Sequence, residues 1–543
     1  MSGHISDMPW GLCIIKYFLQ RCCPQCGFNK TMWHQGGVLV LTFLAYTSYH
    51  LTRKPISVVK NVLNFNCSSM SPPPNFVINE TNQDVWCDWA PFNTADAPAL
   101  LGMLDSAFLF AYAGAMFLSG FIAERVNLRY FLSFGMLASG ISCYLFGIAR
   151  PYNIHSLWYF IIVQIAGGVF QTSGWPGVIT VLGNWFGKGK RGLIFGVWNS
   201  HTSVGNILGT TIAAKYVETD WGLSFMVPGA VMGIVGFIIF LFLAPSPTDV
   251  DCVSAAPLGY RKLYVTTSSD EDNETRDHDN INDTEECLTY RCNHRENTTI
   301  NDLLTIPSET SPMLSGRRQQ HNTIRHSAIG FRGALAIPGV IEYSLSLFFA
   351  KLVSYTFLFW LPLYISSSTP YGPSVSAKLS TVFDVGGIIG AIAAGYISDV
   401  TGLSALTCAC MLLNAVPMLF IYDYVNSDDI GINIVLLLLL GIFVNGPYAL
   451  ITTAVSAELG THPSLEENSK ALATVTAIID GTGSIGAAVG PLLAGFISQH
   501  GWQNVFYMLM AADVTALLLL SKLVYKDIQC FIQQRRVVSS SAN

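Results

Sequence analysis

Hydrophobic positions along the chain gather into runs of roughly 20 residues or more, the length a helix needs to cross a bilayer. The runs lie near 36–63, 99–123, 129–150, 156–183, 191–215 and 222–244. After a long polar gap they resume near 339–366, 376–399, 403–423, 429–458, 468–498 and 501–525. This pattern predicts an all-α membrane protein with twelve transmembrane helices in two six-helix halves. The implied organisation is an N-terminal segment 1–35, a first bundle 36–244 with a polar loop at 64–98, a central loop 245–335 expected to be disordered, a second bundle 336–525 and a tail 526–543.

Composition points the same way. Of 543 residues, 51% are hydrophobic and 12% charged, with a mean hydropathy of +0.42, which excludes an ordinary soluble globular protein. The opening stretch "MSGHISDMPWGLCIIKYFLQRCCPQC" has an interrupted apolar run and no small-residue cleavage site, so the first transmembrane helix is expected to direct insertion itself.

Charge asymmetry between loops then predicts orientation. No Lys or Arg occurs from Asn61 to Ala123, whereas "ERVNLR", "GKGKRG", "GRR" and the tail with Lys522, Lys526, Arg535 and Arg536 are basic. Both termini and the central loop are therefore expected in the cytosol. The sequons at Asn66 and Asn79 fall in the uncharged first loop, where glycosylation requires a lumenal or outer location. Cys67 and Cys87 share that loop; they either pair as a disulfide in its oxidising space or remain free. Sequon patterns at Asn273, Asn282 and Asn297 lie in the acidic central loop and are chance matches if this orientation holds. "CPQC" (Cys23 to Cys26) has no second pair to complete a zinc site, and no metal or cofactor is expected.

The two halves repeat a design. "SGFIAERVNLR" closes the second span and "AGYISDVTGLS" the eighth, each with glycine, three residues and an acid: Gly120 to Glu124 and Gly395 to Asp399. "SVGNILG" from Ser203 in the fifth span matches "SIGAAVG" from Ser484 in the eleventh. Two such pairs in the same order indicate duplication about the central loop, the plan of a rocking-bundle transporter with its site between the halves.

Charged residues inside the membrane mark the candidate site. Arg53 and Lys54 stand together in "YHLTRKPISVVK". A guanidinium at the bilayer centre costs about 2.5 to 3.5 kcal/mol on insertion scales, so it needs a partner or an aqueous cavity, unless the helix ends there and Arg53 snorkels to the interface. Apolar character resumes beyond it, and Pro55 suits a helix that borders a cavity. Tyr46, Tyr49 and Arg53 fall at i, i+3 and i+7 and share a helical face. The intramembrane acids Asp105, Asp384 and Asp480 call for charge partners, or else carry protons.

The chain resembles the major facilitator superfamily in its Gly-x-x-x-acid junctions, although basic residues are missing after Asp399. "FQTSGWP", "NWFGKGKRGLIFGVWNSHTSVGN" and "YTSYHLTRKP" resemble the organophosphate:phosphate antiporters. "KLVSYTFLFWLPLY" and "GPYALITTAVSAELGTH" narrow the likeness to the eukaryotic sugar-phosphate exchanger family, the glucose-6-phosphate transporter relatives of the endoplasmic reticulum.

That resemblance implies a major facilitator fold, residence in the endoplasmic reticulum (with the plasma membrane open) and exchange of a sugar phosphate, glucose 6-phosphate foremost, for inorganic phosphate. It implies that Arg53 binds phosphate, whose oxygens suit arginine's planar fork. Lys54 is a second electrostatic contact or an anchor. The bacterial relatives place an arginine where Ser354 stands, and Lys351, one turn earlier, is expected to supply the second positive charge or to be an interfacial lysine. His201 binds phosphate or packs; the bacterial pattern has its histidine where Thr202 stands. Tyr46, Tyr49, Asn199, Gln171 and Trp175 are substrate or wall contacts, with core packing the alternative. Glu124, Arg125, Asp399 and the three intramembrane acids are expected in gating or charge pairing. The rival functions are a proton-coupled organic-anion symporter, a transport-inactive scaffold and, from another class, a lumenal sugar phosphatase. No nucleic-acid partner is expected, and membrane lipid is the only other partner implied.

Overall fold

The computed structural model describes residues 8–22, 29–63, 77, 79, 89–92, 97–186, 197–217, 219–252, 331–425, 429–460 and 472–541. Asn66, Cys67, Cys87, the "GKGKRG" cluster and most of the central loop lie outside the described residues. Asn79 is described and exposed.

Among the described residues the chain is all helical. An amphipathic α1 (Trp10–Cys22) precedes twelve helical passes in the order of the predicted spans, though the last continues as helix through the predicted tail to Ser541. The first half comprises α2 (Lys30–Arg53) with α3 (Pro55–Leu63), then α4 (Ala97–Ala123), α5 (Leu128–Ile148), α6 (Leu157–Gln171) with α7 (Gly174–Trp185), α8 (His201–Tyr216) and α9 (Leu223–Phe242). The second half comprises α10 (Val340–Ser368), α11 (Pro373–Thr401), α12 (Ser404–Val425), α13 (Ile430–Leu450), α14 (Leu472–Ile497) and α15 (Trp502–Ser541). After α13 the pass continues through a π-helical turn, Ile451–Val455, and a last turn, Ser456–Leu459.

Among the described residues, nine helices are long and apolar enough to cross a membrane by length and composition. The passes that fall short are the first, whose stretch before Arg53 is polar, the fourth, which is split at Thr172, and the fifth, where α8 is described over only 16 residues. Large apolar side chains such as Leu118, Phe134, Ile162, Leu413 and Leu518 point outward, the pattern of helices whose surroundings are lipid.

The breaks in the first and fourth passes follow from proline. Pro55 cannot donate a backbone hydrogen bond, so α2 stops at Arg53 and α3 starts afresh. Ser57 stitches the joint, its N–H and its hydroxyl both donating to the Lys54 carbonyl at 3.0 and 2.7 Å. Pro176 likewise frees the carbonyl of Thr172, which accepts the Ser119 hydroxyl at 2.7 Å instead. The polar backbone at mid-membrane is thereby satisfied, as a dry interior demands.

The repeated glycine motifs do the same job in each half. A Cβ on Gly205 or Gly209 of α8 would fall 2.5 and 2.6 Å from the carbonyls of Thr47 and Leu51 on α2. A Cβ on Gly486 or Gly490 of α14 would fall 1.9 and 2.5 Å from the carbonyls of Phe348 and Leu352 on α10. Each pair lets a helix lie directly on the backbone that carries Arg53 or Lys351. Small residues at four-residue spacing are how membrane helices approach this closely.

The halves meet chiefly through α4 against α14 and α8 against α11. At the face bearing the chain termini, Glu124 Oε1 accepts from the backbone N–H and hydroxyl of Thr474 at 3.2 and 2.7 Å. Its neighbour Arg125 turns outward and donates to the Phe121 carbonyl at 2.7 Å. Asp399 occupies the equivalent last turn of α11 and is half-buried. At the opposite face, Lys60 of α3 pairs with Asp105 of α4 and stands 4.4 Å from the Trp360 ring centroid across the interface. Contacts at both faces enclose the centre.

Candidate functional site

Arg53 is the last residue of α2 before the proline break, so its side chain leaves the helix at mid-bundle. It is 6% exposed. Its Nε donates to Gln171 Oε1 at 2.6 Å and its Nη1 to the Tyr355 hydroxyl, on the opposite half, at 3.2 Å. The guanidinium carbon sits 4.7 Å from the centroid of Tyr112 and 5.8 Å from that of Phe108, a cation–π setting that favours a desolvated cation. Nη2 is buried and has no hydrogen-bond acceptor among the described residues. Gln171 in turn donates to Thr52 Oγ1 at 3.0 Å, which fixes the amide with its oxygen toward Arg53. Without this clamp the long side chain would be free to choose among rotamers.

Lys351, on α10, is 2% exposed and donates to Asp480 Oδ1 at 2.5 Å and to Ser484 Oγ at 3.3 Å. The other carboxylate oxygen, Oδ2, accepts the Tyr112 hydroxyl at 3.2 Å. Tyr112 belongs to the first half and Asp480 to the second. The two cations are thus joined through one tyrosine, whose ring faces Arg53 and whose hydroxyl reaches the partner of Lys351. A buried pair of this kind holds only when further hydrogen bonds complete it, and Tyr112 and Ser484 supply them.

The remaining sequence-predicted residues separate into two groups. Asn199 lines a polar pocket with His50, Asn206, Ser354, Tyr355 and Asp384 beside Arg53, while Gln171 borders a second one with Arg53 and Asp105. Tyr49 instead turns to its own half, hydrogen-bonding Ser173 Oγ at 3.0 Å and lying against Gly174. Tyr46, Trp175 and His201 form an aromatic cluster: Tyr46 is 4.6 Å from the His201 ring and 5.1 Å from Trp175. His201 Nδ1 meets Thr202 Oγ1 at 3.2 Å, and its Nε2 has no hydrogen bond among the described residues. Lys54 donates to the Leu358 carbonyl at 2.9 Å, bridging α2 and α10. Asp384 accepts from Asn206 Nδ2 at 2.8 Å.

Several residues at the site had no signal of their own in the sequence. Tyr112, Tyr355, Asn206 and Asn445 are uncharged and spread over four helices, so no spacing links them. His50 could have been found: it lies at i+4 from Tyr46 and one turn before Arg53. Lys60, partner of Asp105, reads in sequence as the interfacial end of a span.

Geometrically the centre can do one thing well. An anion with several oxygens could take the free Nη2 edge of Arg53 and compete with Asp480 for Lys351, with tyrosine hydroxyls at hand.

Comparison with known proteins gives consistent results. The sequence profile of the Major Facilitator Superfamily matches residues 73–464 and 343–529. The chain is 53% identical over 501 residues to the glucose-6-phosphate exchanger SLC37A2 of Mus musculus, covering 92% of this chain and 94% of that protein. It is 52% identical over 506 residues to the Homo sapiens protein of the same name, at the same coverage of 92% and 94%. Identity to the glucose-6-phosphate exchanger SLC37A1 of Homo sapiens is 49% over 528 residues, covering 93% and 95%.

Proposed function

The chain belongs to the sugar-phosphate exchanger family of the major facilitator superfamily, and from that premise we propose that it exchanges a sugar phosphate for inorganic phosphate by alternating access. Glucose 6-phosphate is the organic substrate, a reading supported by the names of relatives about half identical over nearly their whole length. It is a multi-pass membrane protein, which we place in the endoplasmic reticulum with both termini cytosolic and the first loop lumenal.

The observation that carries the proposal is Arg53: a buried guanidinium between the halves, clamped by Gln171 and Tyr355, with Nη2 lacking an acceptor among the described residues. A phosphate monoester, carrying close to two negative charges and three acceptor oxygens, binds that edge and draws Lys351 from Asp480. The Tyr112 hydroxyl, beside Arg53, turns from Asp480 to the bound phosphate, which releases one tie across the halves. A carrier without anion stays tied, so net flow requires a return load, which is exchange.

The test is uptake of labelled glucose 6-phosphate by the purified chain in liposomes loaded with phosphate or with sulfate. Uptake that requires internal phosphate is expected. Uptake driven by a pH gradient without internal phosphate would replace exchange by proton symport.

A further inference from the structure

Beside Arg53 lies a pocket of opposite character. Its polar lining comes from five helices: His50 on α2, Asn206 on α8, Ser354 and Tyr355 on α10, Asp384 on α11 and Asn445 on α13. Tyr355 connects the two regions, since its hydroxyl accepts from Arg53 while it also borders the pocket.

The unpartnered groups here are mainly acceptors. Asp384 and Asn206 are each 4% exposed. One Asn206 N–H donates to Asp384 Oδ1 and Asn206 also meets the His50 ring, but Asp384 Oδ2 has no hydrogen bond among the described residues. Buried acceptors without donors cost about 1 to 3 kcal/mol each, so the site is built for something that donates. Ser354 and Asn445, bonded to each other at 2.7 Å, add a hydroxyl and an amide to the wall. Asp384 lies in the field of the Lys54 ammonium, which itself donates to the Leu358 carbonyl, so its charge is partly balanced while its second oxygen is left to accept from a hydroxyl.

We infer that this pocket is the hydroxyl-recognising subsite of the carrier, in which Asp384 and Asn206 accept hydrogen bonds from the sugar while Arg53 and Lys351 hold the phosphate. The inference rests on the exchange reading above. It makes Asp384 a specificity residue, selecting polyhydroxylated phosphate esters over inorganic phosphate and simple alkyl phosphates. The competing view is that Asn206 and Asp384 only tie α8 to α11 across the halves.

Two measurements on reconstituted protein separate these: KM for glucose 6-phosphate and KM for phosphate in phosphate–phosphate exchange. In Asp384→Asn and, separately, Asn206→Ala, the first is expected to rise relative to the second by about tenfold or more, the scale of a lost hydrogen bond to a charged group. The preference for glucose 6-phosphate over methyl phosphate should fall by a similar factor. If both KM values move together, if neither moves, or if both folded variants lose phosphate exchange as well, the pair is a structural tie and the inference is overturned. Wild-type protein unable to exchange phosphate for phosphate would instead sink the exchange reading itself.

Discussion

Lys351 and Asp480 face each other at 2.5 Å within the second half, while Tyr112 of the first half donates to the second oxygen of the same carboxylate at 3.2 Å. One acid therefore neutralises a cation and fastens the two halves. On the exchange reading proposed above, an incoming phosphate displaces it to reach Lys351, which would link binding to release of the interface.

Asp480→Asn tests that link. Loss of the charge leaves Lys351 buried with a neutral partner, and breaking one side of a buried pair costs about 3 to 5 kcal/mol. The variant is expected to unfold at lower temperature than wild type without ligand. Added phosphate should raise its melting temperature by more than it raises that of wild type, because the anion no longer competes with an internal carboxylate. An equal phosphate-induced shift in both proteins would show that Asp480 does not occupy the anion's place.

Gln171 offers a test of sign. Gln171→Ala removes the acceptor that orients Arg53 Nε and is expected to raise KM for phosphate about tenfold, the scale of a hydrogen bond to a charged group. Gln171→Glu keeps the acceptor but adds a carboxylate beside the guanidinium, so it should impair phosphate binding more than alanine does. A glutamate variant that binds phosphate better than the alanine variant would mean that Gln171 does not act through Arg53.

All three intramembrane acids have partners, Asp384 taking a hydrogen bond from Asn206, but only Asp480 has one of the two cations expected for them. Asp480 pairs with Lys351, one of the pairings open to the three intramembrane acids, whose expected partners are Lys351 or Arg53. Asp105 pairs with Lys60, which the hydropathy pattern places at the end of a span. The break at Pro55 is what turns the end of the first pass inward, and helical periodicity cannot carry a register across it. Spacing also puts Tyr46, Tyr49 and Arg53 on one face of an unbroken α2, yet the side chains diverge there, Tyr49 reaching Ser173 while Tyr46 packs on His50, with ring centroids 5.7 Å apart. The twelve passes, the duplicated glycine contacts and the two cations were legible because each leaves a local trace. The tyrosines and amides that connect them come together only through tertiary packing.

The Lys60 to Asp105 pair gives a third prediction. Lys60→Met strands a buried carboxylate and should destabilise the protein by about 3 to 5 kcal/mol. Lys60→Met combined with Asp105→Leu removes both charges and should recover most of that loss, since apolar replacement of a buried pair is often neutral. Thermal unfolding of the two single variants and the double variant in detergent measures the coupling. Additive losses would show that the residues do not act as a pair.

The central claim is that Arg53 holds the phosphate group, and the most direct measurement is phosphate–phosphate exchange by wild type, Arg53→Lys and Arg53→Ala in the same liposomes, with folding checked by size-exclusion profile. Loss of a desolvated charge–charge contact predicts a fall of about a hundredfold for Arg53→Ala. Arg53→Lys should fall between, because an ammonium keeps the charge but not the fork. Exchange by folded Arg53→Ala at the wild-type rate would contradict the account.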